Sequence, residues 1–168
     1  MPGQNIGLTM PNGFPGSYTR QPDMIVDTHP LGGSANVAFG APLVYSGSTV
    51  VPFGAADTAA KFVGIAAREI KSALGYLDQN KGEFAPNEAV PTFKRGCINV
   101  LCNVGTPALN GDVYIRTVAN AAIPTGVIGG FEAAADGTNS VKLTNCKWHG
   151  AADANGVAEI RILTCNNA

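Results

Sequence analysis

The sequence predicts an all-β fold: a jelly-roll-like sandwich or barrel of short antiparallel strands with an extended N-terminal arm. Three observations predict it. Apolar and polar residues alternate over short segments, the period of a half-buried strand. The segments are punctuated by 21 glycines and 11 prolines, which supply turns. Charged residues make up 14% and hydrophobic ones 45%, where roughly 25% charged is usual for a soluble domain. A surface so poor in charge suits protein contact, and a chain of 168 residues buries enough surface to fold as one domain without a covalent staple.

Residues 1–22 read as the arm and 23–168 as a single β domain. The arm is rich in Gly, Pro, Asn and Gln, with Phe14 and Tyr18 as its large side chains. Such a composition builds no core of its own. It reads either as a disordered terminus or as a tether that adds strand-like backbone to a partner, with Phe14, Tyr18 and Arg20 as anchors. From Met24 onward come Asn36–Phe39, Leu43–Tyr45 and Thr49–Val51, joined by Gly-Ala-Pro and Ser-Gly-Ser turns. Phe62–Ile70 follows with Val63, Ile65 and Ala67 on one face, and Gly64 inside it marks a bulge or a close backbone approach. Residues 66–77 also show helical spacing, so a strand running into a short helical turn is expected. Residues 78–92, polar and broken by Pro86 and Pro91, read as an exposed loop.

Strands then follow at Cys97–Cys102, at Asp112–Val118 after an Asn110-Gly111 turn, and at Gly126–Phe131. Ser140–Trp148 alternates Val141 and Leu143 against Lys142 and Thr144, slipping near Asn145. Val157–Leu163 closes the fold, with Ile160 and Ile162 inward and Glu159 and Arg161 outward.

No catalytic or cofactor-binding constellation emerges. Asp27 stands two residues from His29, the spacing of a carboxylate orienting a base on a strand, but no nucleophile completes it. Residues 32–36, Gly-Gly-Ser-Ala-Asn, depart from the Gly-x-Ser-x-Gly elbow at their last position. Phosphate-cradling glycine motifs are missing, and Asp153-Ala-Asn-Gly156 starts like a calcium loop but lacks the later oxygen ligands. Cys97-x4-Cys102 with Cys146-x2-His149 resembles zinc spacing. Cys97 and Cys102 are, however, an odd five apart in a strand, which points them to opposite faces, and buried free thiols are the competing reading for all four cysteines. Trp148, the one tryptophan, suits core and interface alike, and it joins Phe14, Tyr18 and Arg20 as a candidate interface residue.

The formal net charge is −1 and no Lys/Arg run could neutralise a row of phosphates, so nucleic acid is not an expected partner. Nor is a membrane: Gly and Pro break every stretch approaching the roughly 20 apolar residues of a span. Arg20 is the first basic side chain and Lys61 the second, so the early third is fitted for contact and the middle for water.

Val51-Pro52-Phe53-Gly54, Phe62–Lys71, Arg95–Val100, Gly105–Arg116, Leu143–Trp148 and Asp153–Leu163, taken in that order, resemble the structural cement, or decoration, proteins of tailed bacteriophages. The likeness is strong over 50–168 and poor in the arm. It implies a non-enzymatic β protein, without cofactor or metal, that sits on the outer surface of a phage head. There it would bind the major capsid protein and copies of itself, as dimer or trimer, and stabilise the lattice. The start of the chain lacks the basic end and apolar centre of a secretory signal and no Asn-X-Ser/Thr occurs, as expected for synthesis in a bacterial host cytoplasm. The alternatives are another virion or receptor- or glycan-binding β module, and a small hydrolase or metalloprotein using His29 or Cys102.

Overall fold

The computed structural model describes residues 10–69, 76–79 and 81–165. Their strands are β1 (Tyr18–Pro30), β2 (Val37–Ala38), β3 (Pro42–Ser46), β4 (Thr49–Pro52), β5 (Phe62–Ala66), β6 (Glu83–Phe84), β7 (Ala89–Val104), β8 (Asp112–Arg116), β9 (Phe131–Glu132), β10 (Ser140–Trp148) and β11 (Val157–Ile162). A single 3-10 turn, Ala59–Lys61, precedes β5, and a helical turn, α1 (Tyr76–Gln79), overlaps only the end of the 66–77 stretch where one was expected. Residues 70–75, where the helical spacing began, lie outside the described residues.

One long strand organises the rest. β7 pairs with β11, which continues through β10, β8 and β9 back to β7. In the other direction β7 pairs with β5, then β3 and β4; Leu31, just beyond β1, bridges Val50 of β4, and β1 pairs with β7. β7 is thus the shared stave of two closed rings, and closure leaves little unpaired edge. The β7–β9 pairing is parallel, whereas all other ladders between the strands are antiparallel.

Gly96 divides β7. Residues 89–95 face Ile25–Pro30 of β1, while Gly96–Leu101 face β11 and Ile98 and Cys97 face Tyr18 and Arg20. Gly96 has φ +108, a region open mainly to glycine, and a Cβ there would collide with the Asp23 carbonyl.

The stretch read as an exposed loop, 78–92, is a loop only in part. Glu83–Phe84 is β6, and β7 begins at Ala89, with Val90 and Thr92 completely buried. Pro91 is tolerated there because its ring needs no partner for an N–H it lacks, while its carbonyl accepts the amide of Ala67 at 2.8 Å. Gly64 lies where a Cβ would collide with the Phe93 carbonyl, the close approach the sequence indicated, and the β3–β5 register shifts beside it. Gly126–Phe131 is strand only from Phe131. The slip at Asn145 is a bulge: Leu143 pairs with Val113 and the next ladder contact is Lys147 with Asp112.

The larger core joins Phe62, Ile65, Phe93, Ile98, Ile115, Phe131, Leu143, Trp148 and Ile160, and the smaller gathers Leu31, Val37, Leu43, Val50, Phe84 and Val90. Each such side chain contributes about 1.5–3 kcal/mol on burial.

Candidate functional site

Between β8 and β9 the chain runs from Thr117 to Gly130 without one charged residue. Its ends meet: the Arg116 amide donates to the Gly130 carbonyl at 3.1 Å and the Gly129 amide to the Arg116 carbonyl at 2.8 Å, the closed form of an Ω-loop. Internal turns hold its shape, from Ile123 N to the Asn120 carbonyl at 2.9 Å and from Gly126 N to the Ile123 carbonyl at 3.0 Å. Val118, Val127 and Ile128 stand out at 47%, 59% and 43% exposure.

Beneath the loop lies an ion cluster. Arg116 and Glu132 are both fully buried and pair through two parallel bonds, Nε to Oε1 and Nη2 to Oε2, the latter at 3.2 Å. Nη1 of Arg116 reaches Asp136 Oδ2 at 2.8 Å and the Val118 carbonyl at 3.2 Å. Asn120 and Asn139 also donate to Asp136. Hydrogen bonds from Asn120 and then Arg116 hold the Asp136 carboxyl below its ordinary range. The Arg116 guanidinium is held charged, first by its bond to Glu132. At Gly126 a Cβ would collide with the guanidinium, so any larger residue there must displace it. Sequence reasoning assigned Arg116 no role; the missing signal was the uncharged run beginning just after it.

A second surface is the N-terminal segment ahead of β1. Asn12 donates its amide to Asp153 Oδ2 at 2.8 Å and its Nδ2 to the carbonyls of Val157 at 2.8 Å and Ala151 at 3.2 Å. Asn99 Nδ2 donates to the Asn12 carbonyl and to Ser17 Oγ. Gly16 N bonds the Asn99 carbonyl at 2.7 Å, and Asn99 N the Ser17 carbonyl at 3.0 Å.

The four predicted interface residues fall in different settings. Phe14 is 64% exposed under the Arg68 guanidinium, 4.3 Å from its ring centre, and borders a groove of about 960 Å³ with Pro15, Phe39 and Lys81. Tyr18 packs on Phe93 with ring centres 5.6 Å apart; burial first, then its bond to Glu69, pushes its hydroxyl pKa up. Arg20 is paired with Glu159 through Nε at 2.7 Å and Nη2 at 3.2 Å. Trp148 is 1% exposed, inside the larger core. Phe14, Tyr18 and Arg20 thus belong to one continuous segment and Trp148 stands apart from it. That segment starts β1 at Tyr18, inside the stretch 1–22 read as an arm.

The residues weighed for chemistry are dispersed. His29 meets the edge of Tyr45 with centres 5.3 Å apart, and Asp27 pairs with Lys94 instead. The four cysteines are unpaired, Cys97 and Cys146 buried. Among the described residues no three His, Cys, Asp or Glu side chains are grouped to hold a metal ion.

Closed β rings, an uncharged apolar loop on a rigid base and a docked N-terminal segment define a structural β protein built for protein contact. The chain belongs to the structural cement protein family (E217 gp24/Pam3 gp6), whose match spans residues 2–163 and so includes the N-terminal segment. A chain of the capsid of Myoviridae phage XM1 shares the fold, with TM-score 0.70 over 95% of this chain and 96% of that one at 14% identity. Comparison with curated protein sequences finds no significant match. As a cement protein it is a structural component of a phage capsid, its role there is to bind and stabilise the capsid lattice, and its place is the virion.

Proposed function

We propose that this chain binds the outer surface of the phage head and that the loop 117–130 is the part that meets the major capsid protein. The observation that carries this is the loop itself: uncharged, with Val118, Val127 and Ile128 exposed beside its closure, and fixed from below by the buried Arg116–Glu132 pair. Burying an Arg–Glu pair costs desolvation that packing alone would avoid, so the cluster is retained for the shape it imposes above it. A preformed apolar patch at the loop's closure loses little entropy on docking. Many copies, associating as dimers or trimers, add modest contacts into avidity, and a ligand of the assembled lattice stabilises that state by mass action. Unpaired thiols at Cys97, Cys102, Cys146 and Cys165 support synthesis in a reducing host cytoplasm.

The test is particle retention. Val127→Asp with Ile128→Asp leaves the free protein's unfolding free energy within about 1 kcal/mol of the parent, as surface changes do, and lowers retention on purified heads at least tenfold. Full retention by this variant would move the contact surface elsewhere.

A further inference from the structure

The N-terminal segment and its seat form a second recognition site. From Asn12 to Arg20 the segment lies beside β7 and reaches β11, held mainly by hydrogen bonds: Asn12 to Asp153, Ala151 and Val157, Gly16 and Ser17 to Asn99. Tyr18, packed on Phe93, is its one large apolar contact with the core. At its far end Thr19 Oγ1 and Arg20 Nε converge on Glu159 Oε1 at 2.9 and 2.7 Å. Arg20, the only basic residue before Lys61, thus meets a carboxylate whose side chain is 14% exposed. Gly16 fits where a Cβ would press on the amides of Arg68 and Gly40. The seat is shaped for this peptide.

Between this segment and the rest of β1 the pairing is broken. Arg20 is opposite Cys97 and Ile25 opposite Arg95, so Gln21–Met24 face the single residue Gly96. Residues 12–20 can therefore leave without unzipping Ile25–Pro30, and neither closed ring depends on them.

We propose that residues 12–20 are an exchangeable latch: seated on its own chain in the isolated molecule, and passed to the identical seat of a second copy where copies are crowded. Every copy carries both halves, the segment with its cation and the seat with its carboxylates, so exchange preserves each contact and adds a link between neighbours, the low-cost route of swapping. The inference goes beyond lattice binding by the loop, and its test needs only the free protein.

The register supplies the probe. Arg20 and Cys97 are cross-strand partners, a geometry that accepts a disulfide. Isotopically heavy and light Arg20→Cys chains are mixed, oxidised with glutathione disulfide and digested. The expected result is a 20–97 cross-linked peptide carrying one heavy and one light half. Its share should approach one half at the highest concentration and fall at least tenfold on dilution. Only same-isotope peptides at every concentration would overturn the proposal. Should the substitution prevent folding, seen as red-shifted Trp148 emission, hydrogen exchange on the unmodified chain decides. The Gly16 and Asn99 amides must exchange at least tenfold faster than those of the β10–β11 ladder, and equal rates would refute separate release.

Discussion

Arg116 on β8 and Glu132 on β9 form a fully buried bidentate pair. One pair thereby joins the two strands that bracket the loop 117–130, and the same guanidinium reaches Asp136 and the Val118 carbonyl. One side chain fixes both ends of the loop and the turn following β9. The pair thus links the interior of the protein to the shape of the loop above it.

Removing Glu132 takes the bidentate partner from a buried guanidinium and leaves it one carboxylate contact, with the partly exposed Asp136. Glu132→Ala is expected to lower stability by about 3–5 kcal/mol, or roughly 6–20 °C in Tm for a chain of this size. The double variant Arg116→Met with Glu132→Leu recovers most of that loss, because the buried charge is gone as well. Thermal unfolding of the two variants checks both, and the double variant should still lose particle retention as its loop relaxes.

Gly126→Ala adds a Cβ where the Arg116 guanidinium lies. The guanidinium must move off Glu132, and a destabilisation of about 1–3 kcal/mol is expected from the overpacking. Gly47→Ala, at a site with φ +62 but open space around it, is the control and costs about 1 kcal/mol, from backbone conformation alone. Urea midpoints measured side by side separate collision from conformation.

Acid should loosen the N-terminal segment. For Glu159, burial raises the pKa, but bonds from Arg20, Thr19 and Cys97 outweigh it and the net shift is downward. For Asp153, burial is likewise outweighed by the amides of Asn12, Val157 and Asn155. Both folded pKa values lie below the unfolded ones, near 4, so their stabilisation is complete above that pH and vanishes as pH falls through the folded values. The charged groups around Glu159 are Arg20 on β1 and Arg161 beside it on β11, together with the Cys97 thiol on β7. Limited proteolysis should cut near residues 12–20 faster at pH 3.5 than at pH 6 while β10–β11 stays protected.

Thiol reactivity should be ordered by burial. Cys97 is pushed up to about 11, by burial and then by Glu159, and Cys146 is raised by burial alone. Both stay largely thiol, the unreactive form, at pH 8. Under native conditions N-ethylmaleimide is expected to label Cys165, at the partly exposed end of the described chain, at least tenfold faster than Cys97 or Cys146. Peptide mapping by mass spectrometry reads the order, and comparable rates at Cys146 and Cys165 would contradict the packing.

Trp148 reports the larger core. At 1% exposure its emission should be blue-shifted in the free protein, move to the red only with global unfolding, and stay constant when the protein binds heads.

Much of the architecture was legible in the chain because its signals are local. Alternation in Val157–Leu163 and around Leu143, and the turn at Asn110-Gly111, marked strands that the structure contains, as did Leu43–Tyr45 and Thr49–Val51, which lie within β3 and β4. What failed was non-local. Pro91 and its polar neighbours looked like a loop, since nothing nearby shows that β1 and β5 flank that stretch and bury it. The role of Arg116 went unread, since alternation cannot reveal a carboxylate sixteen positions on that folds back beneath it.

The sequence by itself determined an all-β chain poor in charge and fitted for protein contact, because strand period, turn residues and composition are properties of short stretches. Only the tertiary structure decided that β7 is shared by two closed rings, that an uncharged loop stands on a buried ion pair, and that residues 12–20 lie in a seat of their own chain. Each of these depends on groups distant in sequence satisfying one another's hydrogen bonds and charges, and that information exists only once the chain has closed on itself.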